Sequence, residues 1–309
     1  ARLGPIARKL AFWFLVISSV PLAVVAGAYV VSAKTIVEPT GGGGTTVTCT
    51  LDAGGNTDRS GANTDRRGIG EAVVSEYLWW RGLDTVDYVL ATHADADHID
   101  GLNDVVRNFT VDAALVARSP ANDPEYAKFA QTLSATNTHV ATVQAGDLIR
   151  LGDAQIEVLW PPAAPHANEP SRNNDSVVLR VGFGRRSFLL TGDIEKSGEN
   201  ALIAGGKEFR ADVVKVPHHG SRSSSTLPFV TATAAGIAVI SVGQNSMFGH
   251  PHADVVERWQ ASGAQVFTTG KCGTITVTTD GADLTLTGFK SENRLACKGL
   301  FQNCPACKF

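Results

Sequence analysis

Short apolar runs separated by polar turns dominate the chain between residues 46 and 287. "VDYVLA", "QIEVLW", "SVVLRVG", "SFLLTG", "DVVKVP" and "IAVISV" are rich in β-branched and aromatic residues, and Gly, Pro, Asp or Asn punctuates them. Such runs predict strands, and "TVTCTL", "AALVA", "HVATV", "QVFTT", "TITVTT" and "DLTLT" extend the series. Apolar residues three to four apart predict helices over 70–81, 99–108, 123–135, 195–205, 223–234 and 252–262. Asp123-Pro124 supplies a helix start, with the acid at the cap and proline in the first turn. "EPTGGGGTT", 38–46, reads as the tip of a hairpin between "KTIV" and "TVTCTLD". Early hairpins, later strand–helix units and strands outnumbering helices by about two to one predict an α/β (α+β) fold. Its core would be two sheets with helices outside.

The first residues break this pattern. "LAFWFLVISSVPLAVVAGAYVV", 10–31, is uncharged and mostly apolar, and it follows Arg2, Arg8 and Lys9. About 20 such residues span a bilayer as a helix, and positive flanks stay in the cytoplasm. One N-terminal transmembrane helix is expected, placing the rest of the chain on the extracytoplasmic side. A signal peptide cut near "AGA" (26–28) and a buried core helix are the alternatives. The expected organisation is therefore a cytoplasmic flank and membrane segment or signal over 1–31, one domain over 32–290, and a tail over 291–309. The tail, "CKGLFQNCPACKF" from Cys297, has three of the five cysteines. Disulfide pairing outside the cytoplasm or a loose tail is the expectation, with a zinc knuckle as the rival reading.

Composition adds limits. With 43% hydrophobic and 18% charged residues the chain is of ordinary globular make-up. Its formal net charge of −3 lacks the global basic signature of nucleic-acid binders, although a local Arg stripe would escape that count.

The charge is unevenly placed. "THADADHIDG", 92–101, crowds His93, Asp95, Asp97, His98 and Asp100 behind an apolar strand. Like charges at this spacing repel, and their desolvation is costly unless a cation compensates. A solvated acidic loop explains the acids but not the histidines in the same frame; both types bind divalent metals. "FLLTGDIE" delivers Asp193 from a strand end, either to cap a helix or to bridge two ions. "VVKVPHHGSRSSS" brings His218 and His219, then Gly220 for a tight turn, with Ser221 and Arg222 available to an anion. "GQNSMFGHPHAD" sets His250 and His252 before a helix, as a cap, a ligand or a proton donor. "LDAGGN" ends a strand in Asp52, which would orient a ligating histidine from behind. The Pro-rich loop "PPAAPHANEPSRNND", 161–175, has the length of loops that border sites.

L-D-A-G-G, H-x-D-x-D-H, T-G-D and H-H-G-S in this order resemble the metallo-β-lactamase superfamily. Asp95 stands where the superfamily's first motif usually has its second histidine. With "WWRGLDTVDYVLATHADADHIDGL", "LLTGDIE", "KVPHHGS" and "FGHPH", the chain is similar to the hydrolase-like domain of ComEC-type DNA-uptake proteins over about residues 45–287. The resemblance implies an αββα sandwich and a two-metal site. His93, Asp95 and one of His218 or His219 would hold one ion, Asp97 and His98 the other, with Asp193 shared. Two departures stand out: "YVVSAKTIV" replaces the family's D-V-G-Q-G-D stretch, and Asn174 occupies a usual histidine position. The site is thus richer in oxygen, which leans toward Mn²⁺ or Mg²⁺ and leaves Zn²⁺ open.

The function so implied is a metal-dependent phosphodiesterase, a deoxyribonuclease that degrades the DNA strand not imported during transformation. It would sit in the bacterial inner membrane with other competence-channel subunits. Asp97, His219 and His250 are the expected catalytic groups, and Lys215, Ser221, Arg222, Arg66 and Arg67 the expected phosphate contacts. The alternatives are a DNA-guiding or channel-assembly module that does not cut, and a lactonase or β-lactamase-like hydrolase.

Overall fold

The computed structural model describes residues 11–16, 28–37, 43–51, 70–80, 82–120, 122–163, 172–243, 246, 248–272, 274–290 and 293–298. In chain order the strands are β1 (Ala11–Val16), β2 (Ala28–Val37), β3 (Gly43–Leu51), β4 (Thr85–Ala91), β5 (Thr110–Val116), β6 (His139–Thr142), β7 (Leu148–Leu151) and β8 (Ala154–Trp160). β9 (Val178–Phe183), β10 (Arg186–Leu190), β11 (Val213–Lys215), β12 (Ile237–Ile240), β13 (Gln265–Thr268), β14 (Thr274–Thr279), β15 (Leu284–Lys290) and β16 (Asn293–Lys298) complete the set. The helices are α1 (Glu76–Trp80), α2 (Ala96–Ile99), α3 (Leu102–Asn108), α4 (Pro124–Ala135), α5 (Lys196–Ala204), α6 (Leu227–Thr233), α7 (Ala253–Ala261) and α8 (Thr269–Cys272). A wide-turned helical segment, Gly70–Ser75, leads into α1.

One sheet has nine strands in the order β16-β15-β14-β1-β3-β2-β4-β5-β6, and the other has seven in the order β13-β12-β11-β10-β9-β8-β7. Both are mixed: β4 to β6 and β10 to β13 run parallel, while the remaining pairs in the second sheet are antiparallel hairpins. Strand periodicity of two decides which side chains meet. Phe188 and Leu190 of β10, Val213 of β11 and Ile237 and Val239 of β12 face the other sheet, meeting Leu90, Leu115, Ile275 and Val277. Their alternates Leu189, Val214, Ala238 and Ile240 face outward against Leu202 of α5, Phe229 and Val230 of α6 and Trp259 of α7. On the far side Val89, Ala91, Ala114 and Val116 pack under α1, α3 and α4 through Leu78, Val105, Phe129 and Leu133. The layering is helix, sheet, sheet, helix. Burial on both faces explains why these strands read as unbroken apolar runs.

Where the apolar N-terminal stretch is described, it is not helical. Ala11–Val16 pairs parallel with β3 and antiparallel with β14, and Ala28–Val37 pairs antiparallel with β3 and β4. Residues 17–27 lie outside the described residues, and among the described residues no helix is long and apolar enough to cross a membrane. Aromatic and β-branched residues such as those of "AFWFLV" favour strand pairing. The hairpin between β2 and β3 forms as expected. The segment 99–108 instead splits at Asp100 and Gly101 into α2 and α3, and Asp100 closes α2 and pairs with Lys128 of α4. Asp123 caps α4 by accepting the Tyr126 N–H at 2.9 Å. β7 was not foreseen, because only Leu151 of "LIRL" is buried.

Candidate metal centre

Strand ends of both sheets meet at one edge. β4 ends at Ala91 and releases Thr92, His93 and Ala94, and α2 begins after Asp95. From the second sheet, β10 ends one residue before Thr191-Gly192-Asp193, and β11 ends at Lys215 before the turn 217–220. The edges are tied across the gap. Val177 N–H donates to the Thr92 carbonyl at 3.0 Å. The Asp193 N–H donates to Ser176 Oγ at 2.9 Å, and that hydroxyl also meets His93 Nδ1 at 3.2 Å.

Backbone conformation aims the ligands. Gly192 has φ +54°, and a Cβ there would lie 2.6 Å from Ser176 Cβ, so only glycine lets Asp193 turn inward. His218 and His219 also have positive φ, 47° and 54°. Non-glycine residues hold this conformation at a cost of about 1–3 kcal/mol and do so mainly at functional sites. Here it swings the His219 ring back toward Asp193.

The result is a close cluster. Asp193 Oδ2 lies 3.1 Å from His98 Nε2, 3.2 Å from His219 Nε2 and 4.0 Å from His218 Nε2. Asp97 Oδ2 lies 3.7 Å from both His98 Nε2 and His219 Nε2. Asp95 Oδ2 approaches His93 Nε2 at 3.5 Å, with 45% of its side chain open to solvent. Two groups have ligand atoms within 4.8 Å of one another: His93, His98 and Asp193, and Asp97, His98 and His219. An imidazole Nε2 has one lone pair, so His98 serves one ion only; the oxygen of Asp193, with lone pairs to spare, is the natural shared ligand. In these groupings His219 stands beside Asp97 and His98, and His93 beside His98 and Asp193. His218 turns its Nδ1 toward Ser223 Oγ, 3.1 Å, and Glu195 Oε1, 3.4 Å.

These donors fit divalent ions. His219 Nδ1–H donates to the Ser241 carbonyl at 2.9 Å, which leaves the Nε2 lone pair aimed at carboxylate oxygens. Thr92 Oγ1 lies 3.0 Å from His93 Nδ1 and 3.3 Å from His98 Nδ1, where it accepts both N–H groups and leaves both Nε2 atoms bare. His93 Nε2 and His219 Nε2 are buried and make no hydrogen bond among the described residues. Lone pair facing lone pair is repulsive unless a cation lies between. Burial works against charge on His219 and His93, but Asp193 at His219, and Asp95 and Asp193 at His93, outweigh it and raise both above the ordinary histidine value. His98 stays below it, because burial prevails over Asp193. Burial alone would raise Asp193; His219, His98 and Lys215 hold its carboxyl well below the usual range.

Other expected residues are placed differently. Lys215 is 1% exposed and does not face solvent: Nζ donates to the Gly192 carbonyl at 2.7 Å and meets Asp193 Oδ1 at 3.2 Å. It is therefore a buried counter-charge rather than a phosphate contact. Arg222 is exposed and paired with Asp254 at 3.1 Å, and Ser221 Oγ meets Ser223 Oγ at 3.0 Å. Burial, then His219, His218 and His252, push His250 down to about 4. Its ring stacks at 6.4 Å on His219. Asn174 is no ligand: its Oδ1 accepts the Glu195 and Gly198 N–H groups at the start of α5. Asp52, Arg66 and Arg67 lie outside the described residues, as do Cys304 and Cys307. Thr92 and Ser176 were missed as second-layer partners; the only signal was a hydroxyl residue directly before His93 and another after Asn174-Asp175.

Comparison with known proteins agrees with this edge. The chain is 33% identical over 207 residues to "ComE operon protein 3" of Bacillus subtilis (strain 168), covering 67% of this chain and 26% of that protein. It is 28% identical over 209 residues to "Uncharacterized protein YcaI" of Escherichia coli (strain K12), covering 67% and 25%. It is 35% identical over 104 residues to "Competence protein ComA" of Neisseria gonorrhoeae, covering 33% and 15%. The chain thus spans about a quarter, or less, of the length of these relatives. The resemblance to ComEC-type competence proteins holds over the domain that carries the cluster. The Metallo-beta-lactamase superfamily profile matches residues 51–244, more than half of the 309. The chain belongs to the metallo-beta-lactamase superfamily.

Proposed function

We propose that this chain is a metal-dependent phosphodiesterase that cuts DNA, degrading the strand not imported during uptake. The observation that carries the reading is the pair of buried, unbonded Nε2 atoms of His93 and His219 facing carboxylates, which asks for divalent cations. His93, His98, Asp193 and Asp95 would hold one ion and Asp97 and His219 the other, with Asp193 Oδ2 shared. Ions so held supply Lewis acidity toward a phosphoryl oxygen and lower the pKa of water. Asp97, partly open to solvent beside His98 and His219, orients the attacking water. His250, neutral at the rim, suits hydrogen bonding to the substrate. Arg222 is exposed on the turn beyond His219, next to the buried Ser221, where a strand of DNA would pass. The oxygen-rich ligand set favours Mn²⁺, with Zn²⁺ as the competing ion. The similarity to competence proteins supports placing this activity beside channel subunits on the outer face of a bacterial inner membrane.

The test is hydrolysis of single- and double-stranded DNA with Mn²⁺ or Zn²⁺, comparing the protein with Asp97→Ala. Turnover that falls at least about 100-fold in the variant supports the proposal. Bound metal without turnover points instead to a DNA-guiding module. That reading gains from Asn174, whose side chain is committed to α5 rather than to an ion. Cleavage of a lactone or β-lactam, with DNA untouched, points to a small-ring hydrolase.

A further inference from the structure

The strongest buried charge that the proposed reaction leaves without a task is Lys215. β11 is a central strand, flanked by β10 and β12, and its last side chain is buried where a neutral residue would normally sit. Burying an ammonium is costly unless it is paired and hydrogen-bonded. Here Nζ donates to the Gly192 carbonyl at 2.7 Å and to Asp193 Oδ1 at 3.2 Å. The lysine is itself held in register, because Thr191 Oγ1 donates to its carbonyl at 2.7 Å. Gly192 and Asp193 are thus both gripped by one cation from the neighbouring strand.

The two oxygens of Asp193 have separate partners. Oδ1 meets Lys215, while Oδ2 meets the Nε2 atoms of His98 and His219. A free carboxylate has other options: it can chelate one ion through both oxygens, or give one oxygen to each of two ions. We propose that Lys215 is a positioning residue that occupies Asp193 Oδ1 and so restricts Asp193 to sharing Oδ2 between two divalent ions. The inference rests on the two-metal reading of the site but not on the nature of the substrate.

Charge and position predict opposite results, which makes the idea testable. If Lys215 only supplied charge, its removal would tighten cation binding, since a like charge beside the site is lost. If it positions Asp193, removal frees Oδ1 and the second ion loses its place. The protein, Lys215→Met and Lys215→Leu would be titrated with Mn²⁺ by calorimetry and examined by electron paramagnetic resonance. The Leu variant, likewise without a donor for Asp193 Oδ1, covers the case in which Met does not fold, as judged by circular dichroism. The expected result is two Mn²⁺ and an exchange-coupled spectrum in the wild type. In the variant, affinity for the second ion falls at least tenfold and the coupling is lost. Both ions bound as tightly or more tightly, with the coupled spectrum intact, would overturn the proposal. A wild-type crystal structure with Mn²⁺ reads it without any variant: Oδ1 within ligating distance of an ion overturns it, and Oδ1 still on Lys215 Nζ supports it. A wild type that takes up fewer than two Mn²⁺ overturns it together with the two-metal reading. A wild type that binds both but leaves DNA intact sinks the nuclease assignment alone.

Discussion

Replacing Thr92 by valine tests whether one hydroxyl sets two ligands. Thr92 is fully buried, and its Oγ1 lies 3.0 Å from His93 Nδ1 and 3.3 Å from His98 Nδ1. Valine keeps the shape and the strand backbone, including the carbonyl that accepts the Val177 N–H. It removes the hydroxyl that the two rings share. His93 keeps Ser176 Oγ at 3.2 Å, so the loss falls mainly on His98, whose Nδ1 has no other hydrogen-bond partner among the described residues. A ligating histidine without its outer partner typically loses about 10–100-fold in metal affinity. With one of two histidines still supported, the lower end applies, about tenfold or 1.4 kcal/mol. Calorimetric titration with Mn²⁺ and with Zn²⁺ measures this, and circular dichroism verifies the fold. Wild-type affinity for both metals in a folded Thr92→Val protein would refute the idea that this hydroxyl fixes which nitrogen each ring presents.

Gly192→Ala should lose roughly 2–5 kcal/mol of stability, from the left-handed backbone and from the clash with Ser176. Urea unfolding with an unchanged midpoint would count against it. Glu199 of α5 is buried and accepts the N–H groups of Ser225 at 2.5 Å and Thr226 at 2.8 Å, anchoring the serine-rich turn. Glu199→Ala strands two buried donors and should cost roughly 2–5 kcal/mol in the same assay, and a loss below ~0.5 kcal/mol would contradict the anchor. Metal binding should release protons. The raised His93 and His219 values mean that protons compete for these nitrogens at and somewhat above pH 6.5, so affinity for Zn²⁺ should rise with pH through that region. Calorimetry in buffers of different ionisation enthalpy reads the protons directly, and an affinity flat from pH 6 to 8 would exclude both rings as ligands.

Much of the site was legible because its ligands are polar residues in places where apolar ones are the rule. His93, Asp193 and His219 each come after a strand buried on both faces, and the break in pattern marks them. The sandwich was legible from short unbroken apolar runs such as β10 and β12, bounded by turn residues and too short for buried helices. Failures arose where the pattern carried two meanings. Lys215 looked like a surface cation because lysine usually is one. Its burial depends on Asp193, which lies far off in sequence. Asn174 matched a ligand position in one dimension and a helix cap in three.

The placement of ligands therefore depends less on the ligand residues than on the small residues beside them. Gly192 lets Asp193 turn, and the strained His218–His219 pair is held because Gly220, at φ +80°, sits against Pro251, where a Cβ would come within 2.7 Å of its ring. Ser176 joins His93 to the Asp193 backbone, and Thr92 joins His93 to His98. The Ser176 contacts and the Gly220–Pro251 packing cross from one segment to another, and Thr92 ties two ligands within the segment after β4, so the cluster cannot loosen at one ligand without moving a second. That coupling has a cost, since strain and desolvated charge are concentrated at one edge of two otherwise apolar sheets. It also has a consequence for chemistry: the spacing among His98, Asp193 and His219 is set before any ion arrives, so ion binding spends little on reorganisation.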